Sequence, residues 1–434
     1  MKNKPLLFLL SVCGLFAMTA RAENPPAKVI FEQYMNQAQT FADNYPREKA
    51  YLHFDNTSYY VGDTIWFKAY VTLAEKQVFS SISRPLYVEL VDQAGHVTDK
   101  QIIKLSQGEG NGQFVLPQSM LSGYYEVRAY TRWMLAFSDP QYFSRTLPIY
   151  QLSHSDQLER SISTYELSPS MEKRPEETRE KLSLRFFPEG GQLVEGVTSQ
   201  VAFKAESKNE GNIQLSGTLY TKEGQEITSF ETLHDGMGAF EYTPSALPAI
   251  AKVNFQGKQY EFTLPKALPS GYILKVDNNA GAISVTVSCN AATPQDTLAV
   301  FISHQGRPHA YQLIHCQANK PQQFTVLSRK LPAGVLQISL LNRAGNTLCD
   351  RFIFASPRAP LQISPKGLKE IYAPYAPIRC ELQLNNAIGE PMPGKLSVSI
   401  RDAVRSDYME YDNNIFTDLL LTSDLNCLLY TSDA

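Results

Sequence analysis

Seven histidines and six cysteines are the side chains best equipped for chemistry in this chain, and their spacing decides what that chemistry can be. His53, His96, His154, His234, His304, His309 and His315 stand singly, with no H-E-x-x-H and no cysteine pair at zinc spacing. His304 and His309 come near Cys316, but in extended chain alternate residues face opposite ways, so the three do not converge on an ion. No metal site is expected. Gly389-Glu390-Pro391-Met392-Pro393-Gly394-Lys395 fits the spacing of a phosphate-binding loop, yet Leu396 replaces the metal-binding hydroxyl and two prolines remove amides that would hold phosphate. A hairpin turn is the expected structure there. Gly108, Gly110 and Gly112 lack the third glycine of a dinucleotide loop and are read as a turn between strands. No G-x-S-x-G elbow occurs, and no carboxylate pair stands out. The expectation is therefore no catalytic residue, no cofactor and no enzyme activity.

Aromatic residues offer a different kind of chemistry. The chain has 23 Tyr and 22 Phe, and Tyr124, Tyr125, Tyr130, Trp133 and Phe137 crowd into one short stretch. A β core and its edges account for many such residues. A recognition surface is the functional reading, since aromatics anchor protein interfaces. Tyr124, Tyr130, Trp133, Met134 and Phe137 are the candidate interaction residues, and Trp133 with Met134 stands just past a regular strand.

The elements that carry these residues follow from periodicity. Val29, Ile30, Tyr34, Ala38, Phe41 and Ala42 recur near helical spacing until Pro46, predicting a short helix within 23–47. From Tyr51 the period becomes two, as in Thr64-Ile65-Trp66-Phe67-Lys68-Ala69-Tyr70-Val71 and Tyr124-Tyr125-Glu126-Val127-Arg128-Ala129-Tyr130, with Gly and Asp turns between. The fold class is all-β: tandem immunoglobulin-like antiparallel sandwiches after one N-terminal helix. The expected units are 48–152, 181–266, 267–358 and the start of a fourth at 359–426, with a polar linker or excursion at 153–180. A strand is expected at Leu396-Ser397-Val398-Ser399-Ile400.

Composition sets the address and excludes some partners. Forty basic residues against forty-three acidic ones leave a net charge of −3, too balanced to form a nucleic-acid or anionic-membrane footprint. Lys2 and Lys4, an apolar run from Pro5 to Met18, and Ala20-Arg21-Ala22 have the form of a signal peptide over 1–22, which implies export. That run is too short for a membrane span, and no later one is longer. Leu10-Ser11-Val12-Cys13-Gly14 loosely resembles a lipobox that would anchor Cys13, although bulky Val12 and the apolar residues after Cys13 favour simple cleavage. At the other end, residues 427–434 resemble the translation of a transposase adaptor from sequencing libraries, so the chain is expected to be an N-terminal fragment whose natural frame ran past Asn426. For an exported chain, Cys289, Cys316, Cys349 and Cys380 allow three disulfide pairings, and buried thiols fit equally well.

One segment carries a resemblance. Glu48-Lys49-Ala50-Tyr51-Leu52-His53-Phe54-Asp55-Asn56-Thr57-Ser58-Tyr59-Tyr60-Val61-Gly62-Asp63-Thr64-Ile65-Trp66-Phe67-Lys68-Ala69-Tyr70-Val71 resembles the opening of the second macroglobulin domain in the alpha-2-macroglobulin family. Phe186-Phe187-Pro188-Glu189-Gly190-Gly191-Gln192-Leu193-Val194 and His234-Asp235-Gly236-Met237-Gly238-Ala239-Phe240 look like the next domain in bacterial members. The resemblance implies macroglobulin-like sandwiches across most of 48–426. Family members that trap proteases carry a Gly-Cys-x-Glu-Gln thioester, which none of the internal cysteines matches. The bacterial proteins that this chain is most similar to are shorter and often carry a plug-like segment of TonB-dependent receptors. The expected function is thus a non-catalytic, periplasmic or outer-membrane-associated scaffold that binds a protein partner, linked to TonB-dependent transport. A macroglobulin-type inhibitor without a thioester, using 153–180 as bait, is the alternative; an adhesin or glycan-binding module is the weaker one.

Overall fold

Ile65, Phe67, Ala69 and Val71 are each at most 4% exposed while Trp66 between them is 53% exposed, the signature of a strand with one face in a core. The same alternation recurs along the chain and builds sheets that face each other in pairs. The computed structural model describes residues 25–138, 141–151, 182–207, 211–279, 281–356, 361–386, 388–401 and 414–425. The signal segment, the excursion at 153–180 and the terminal stretch 427–434 lie outside the described residues.

The protein is an all-β array of antiparallel sandwiches preceded by one helix. In the first sandwich, Glu48–Phe54, Thr64–Leu73, Val78–Phe79 and Glu109–Val115 form one sheet. The facing sheet runs Tyr59–Tyr60, Phe143–Tyr150, Gly123–Tyr130, Pro85–Val91, Val97–Lys104. A second core gathers Phe186, Phe203, Phe230 and Phe240, with Phe203 and Phe230 edge to face at 5.0 Å. The third sandwich closes a three-stranded sheet, Tyr272–Asn279, Ala282–Cys289 and Gln322–Leu327, over a four-stranded one of Arg307–His315, Thr297–His304, Gly334–Leu341 and Thr347–Ala355. Beyond it, Gln362–Lys366 pairs with Glu381–Asn385.

Two local expectations are corrected. The strand Glu109–Val115 contains Gly110 and Gly112, so only Gly108, at φ 75°, belongs to the turn. A Cβ on Gly112 would come within 2.6 Å of both the Phe67 ring and Ile103. These glycines thus keep the sheet thin where bulky neighbours fill the core, a role that turn chemistry does not suggest. Residues 396–400 form no strand and join no ladder among the described residues, and Val398 and Ile400 are 60% and 93% exposed. The Gly389 segment does turn, with Gly389 N–H donating to Asn386 O at 3.0 Å.

Two helices bind elements remote in sequence. Helix α1, Ala27–Asn44, buries Phe31 against Ala299 and Phe301 of the third sandwich, bypassing the sandwich that follows it in the chain. Tyr34 Oη donates to Arg343 O at 3.0 Å, and Asp43 pairs with Arg307. Helix α2, Ile415–Leu420, starts on an Asn414 side chain that accepts from Phe416 N–H and Thr417 N–H. It packs on Glu48–Phe54, which is buried on both faces along most of its length. The Lys49 ammonium, 3% exposed, donates to Leu419 O at 2.8 Å and pairs with Asp424, itself 4% exposed. Gln305 of the third sandwich donates to the same carboxylate.

Lys49 and Asp424 lie out of water, so removing one charge strands the other. Lys49→Met should cost about 3–5 kcal/mol in urea unfolding, while Lys49→Met with Asp424→Leu should recover most of that loss; equal loss in both variants would show that the pair is not coupled. Nearby, burial raises the Asp418 carboxyl from 3.8 to about 6, against the opposing pull of Lys49. The folded state therefore holds the Asp418 proton more tightly than the unfolded one. That contribution is full below about pH 4 and is lost as pH rises through about 6. Asp418→Asn should flatten this dependence of the urea midpoint and leave the other acidic transitions in place.

Candidate functional site

The site begins with a buried carboxylate. Glu48, 3% exposed, accepts from Ser83 Oγ at 2.7 Å, Ser83 N–H at 3.2 Å, Thr131 Oγ1 at 2.7 Å and Ser80 Oγ. A buried charge needs this many donors. Thr131 Oγ1 in turn accepts from Met134 N–H at 3.2 Å, which fixes the short turn that follows the strand Gly123–Tyr130. That turn drives Met134 inward, where it is 2% exposed in the first core. Met134 is thus a core residue and not a surface contact, because Glu48 and Thr131 set which way the turn points.

Trp133 emerges on the other side. Its Nε1 donates to Pro46 O at 2.7 Å, and its ring stacks on Tyr45 at 6.4 Å with an interplanar angle of 13°. Phe137 meets the indole edge to face at 6.1 Å, and the Arg47 guanidinium lies 5.0 Å from the Phe137 centroid. Tyr45 continues to Phe41 at 5.1 Å. Phe41–Tyr45–Trp133–Phe137 is therefore a continuous aromatic ladder with one cation at its end. Phe41 and Tyr45 are 59% and 50% exposed, and neighbouring Leu135 is 49% exposed. Rigid aromatics with an arginine are the composition of an interface hot spot.

The five residues expected to form one surface do not form one. Tyr124 and Tyr130 lie on the same face of the strand Gly123–Tyr130, about 20 Å apart along it. Tyr130 Oη donates to Glu89 at 2.7 Å and its ring stacks on Tyr87 at 5.7 Å. Lys100 Nζ reaches Glu89 at 2.6 Å and lies over both tyrosine rings. Burial acts to raise the Glu89 carboxyl, but its bonds from Lys100 and Tyr130 prevail and hold it below its ordinary value. This second cluster satisfies itself. Only Trp133 and Phe137 of the five join the ladder. Sequence reasoning missed Tyr45 and Arg47, about 90 positions upstream, and counted Phe41 only among the apolar residues that mark its helix.

Other candidates for chemistry separate. His304 Nδ1 contacts Val335 O at 3.0 Å, and its ring is 6.4 Å from that of His309. Burial, helped by His304 and Arg307, holds His309 below its ordinary value. Among the described residues no three His, Cys, Asp or Glu side chains are grouped to hold a metal. His53 Nδ1 lies 2.6 Å from Ser397 Oγ, but burial, Arg145 and Arg401 all disfavour the imidazolium that a serine nucleophile needs. A trough of about 690 Å³ in the second sandwich is lined by Thr218, Tyr220, Glu231, Lys252, Asn254 and Gln259, with Phe230 of the core among its walls and Lys252 Nζ 5.5 Å from the Tyr220 centroid.

No protein-family model matches the chain. No curated protein matches it either. Among solved structures it is similar to Salmonella alpha-2-macroglobulin reacted with methylamine, at 11% identity over 78% of this chain and 25% of that one, with a TM-score of 0.21. Escherichia coli alpha-2-macroglobulin activated by porcine elastase matches at 10% identity, 74% and 32% coverage and a TM-score of 0.24. The Escherichia coli adhesin FdeC matches at 13% identity, 72% and 97% coverage and a TM-score of 0.18. The chain spans about a quarter to a third of the macroglobulin chains.

The ladder makes a prediction about Trp133. Trp133→Phe keeps a ring for Tyr45 but loses the bond to Pro46 O, and should cost about 1 kcal/mol in urea unfolding. Trp133→Ala should cost more; equal costs would mean that the stacking contributes nothing.

Proposed function

We propose that this chain is a non-catalytic, exported array of macroglobulin-like sandwiches that holds a protein partner at the cell envelope through the Phe41–Tyr45–Trp133–Phe137 ladder. The ladder carries this reading: four rings in contact, two of them about half exposed, beside the Arg47 cation. It suits a partner surface with an apolar pocket and a carboxylate able to meet Arg47. Residues 48–152, 181–266 and 267–358 are taken as the sandwich units, with a fourth starting at 359. Periplasmic or outer-membrane association, and a link to TonB-dependent transport, belong to the same proposal and rest on the signal-like start and the resemblance of Glu48–Val71. The inhibitor alternative needs a bait at 153–180, which lies outside the described residues.

One observation favours a second reading, a glycan-binding module. The trough on the second sandwich offers hydroxyls, amides and Tyr220 beside Lys252 and Glu231, groups that suit a sugar.

The test is chemical cross-linking of the purified chain to envelope proteins of the source cell, with the captured proteins identified by mass spectrometry. Wild type and Ile102→Ser, altered on an exposed strand position remote in sequence, should capture the same partner. Tyr45→Ala with Trp133→Ala should lose it while circular dichroism stays β-rich. Capture retained by that double variant would overturn the docking assignment, and saturable binding to a glycan panel, lost in Tyr220→Ala, would move the function to the second sandwich.

A further inference from the structure

Cys289 and Cys316 face each other in the core of the third sandwich, with Sγ to Sγ at 3.1 Å and exposures of 4% and 2%. Cys289 ends the strand Ala282–Cys289 of the three-stranded sheet. Cys316 follows the strand Arg307–His315 of the four-stranded sheet. Their contact therefore spans the two layers. The backbone at both positions is held from outside the pair: Asn319 N–H donates to Cys289 O at 3.2 Å, and Cys316 N–H donates to Asp296 O at 3.3 Å. The third thiol of this sandwich has other partners. Cys349 donates to Tyr272 O at 3.0 Å and accepts from Gln192 Nε2 at 3.4 Å. Cys380 is exposed beyond the third sandwich. Of the pairings that four cysteines allow, the fold brings one within reach of a bond, which needs the sulfurs to close to about 2.05 Å.

We propose that Cys289 and Cys316 are a disulfide site that pins the two sheets of the third sandwich together when the chain folds in an oxidising compartment. The oxidant is a disulfide-bearing carrier, either an oxidised dithiol protein or a small-molecule disulfide. One cysteine thiolate attacks the carrier, forming a mixed disulfide and releasing one carrier thiolate. The second cysteine, after losing its proton, attacks its partner's sulfur and releases the other carrier thiolate. Two protons and two electrons leave the protein, and the carrier is reduced to two thiols. The step belongs to folding rather than to the finished domain. Burial and the neighbouring Cys289 hold the Cys316 thiol far above its ordinary value in the closed core, where thiolate is scarce.

The bond would close a loop between positions 27 apart and so restrict the unfolded chain. It is independent of where a partner docks.

The experiment refolds the full chain with a mixture of oxidised and reduced glutathione, alkylates it under denaturant and maps its peptides by mass spectrometry. The expected result is one cross-linked peptide joining Cys289 to Cys316, with Cys349 and Cys380 alkylated. Free alkylation of both Cys289 and Cys316 would overturn the proposal, as would a cross-link from either to another cysteine. A second measurement separates a bond from mere packing. Oxidised wild type should melt on the order of 10 °C above the same protein in reductant, whereas Cys289→Ala with Cys316→Ala should melt at one temperature in both. A wild type indifferent to reductant would also overturn the assignment.

Discussion

Glu48 is the residue on which the architecture of the first sandwich turns. Its carboxylate is almost wholly out of water and is held there by hydroxyls and an amide from two other parts of the chain, Ser80–Ser83 and Thr131. Such a charge is tolerable only when its acceptors are filled, so the strand Glu48–Phe54, the loop around Ser80 and the turn after Gly123–Tyr130 must be correct together or not at all. The proposed docking surface inherits that condition. Thr131 bonded to Glu48 fixes Met134 inward, and Trp133, one residue earlier in the same turn, is left to stack on Tyr45. A carboxylate inside the sandwich thus sets the geometry of rings outside it.

The neighbouring residue extends the same logic between sandwiches. Lys49 faces away from Glu48, as alternation requires, and finds Asp424 and Leu419 O in place of solvent. Gln305 reaches the same Asp424, and helix α1 lies on the third sandwich through Phe31. The first sandwich therefore touches the third through elements from both sides of the sequence. A string of sandwiches joined only by linkers would leave relative motion as the default. Contacts such as Gln77 Nε2 to Ala333 O, at 2.6 Å, work against it. Helix α1 supplies Phe41 and ends at the Tyr45 cap, so the proposed docking surface keeps its shape only while α1 stays seated on the third sandwich. Stability of one unit and the proposed recognition by another are in this way coupled.

Much of the fold was legible because a sandwich strand announces itself: Ile65, Phe67, Ala69 and Val71 alternate, and so do their exposures. What could not be read were features that depend on pairing across distance. Gly110 and Gly112 have the composition of a turn, and only the proximity of Phe67 and Ile103 shows why a strand needs them bare. Apolar spacing admits Phe41 to the stripe of its helix, but ten residues from Phe31 it stands about 80° round the helix, whereas Ala42 returns to the Phe31 face; Ala42 is buried and Phe41 is exposed. The candidate site was half legible for the same reason. Trp133 and Phe137 are close in sequence and were found together, while Tyr45 and Arg47 join them only after the chain has returned from the far end of a sheet.

The cysteines show the complementary case, in which types and counts were plain and geometry was needed to choose. Four thiols allow three pairings, and nothing in their spacing prefers one. The fold decides by assigning each sulfur a surrounding. Cys349 has a carbonyl and an amide for company, which satisfies a weak donor and acceptor, whereas Cys289 and Cys316 have each other and an apolar core. Two thiols that find no better partner than one another, on opposite layers, occupy a position where a covalent bond would replace a weak contact without displacing any stronger one. The small units of this array bury limited apolar area each, so a cross-link between layers would strengthen the sandwich against which helix α1, and with it the ladder, is held.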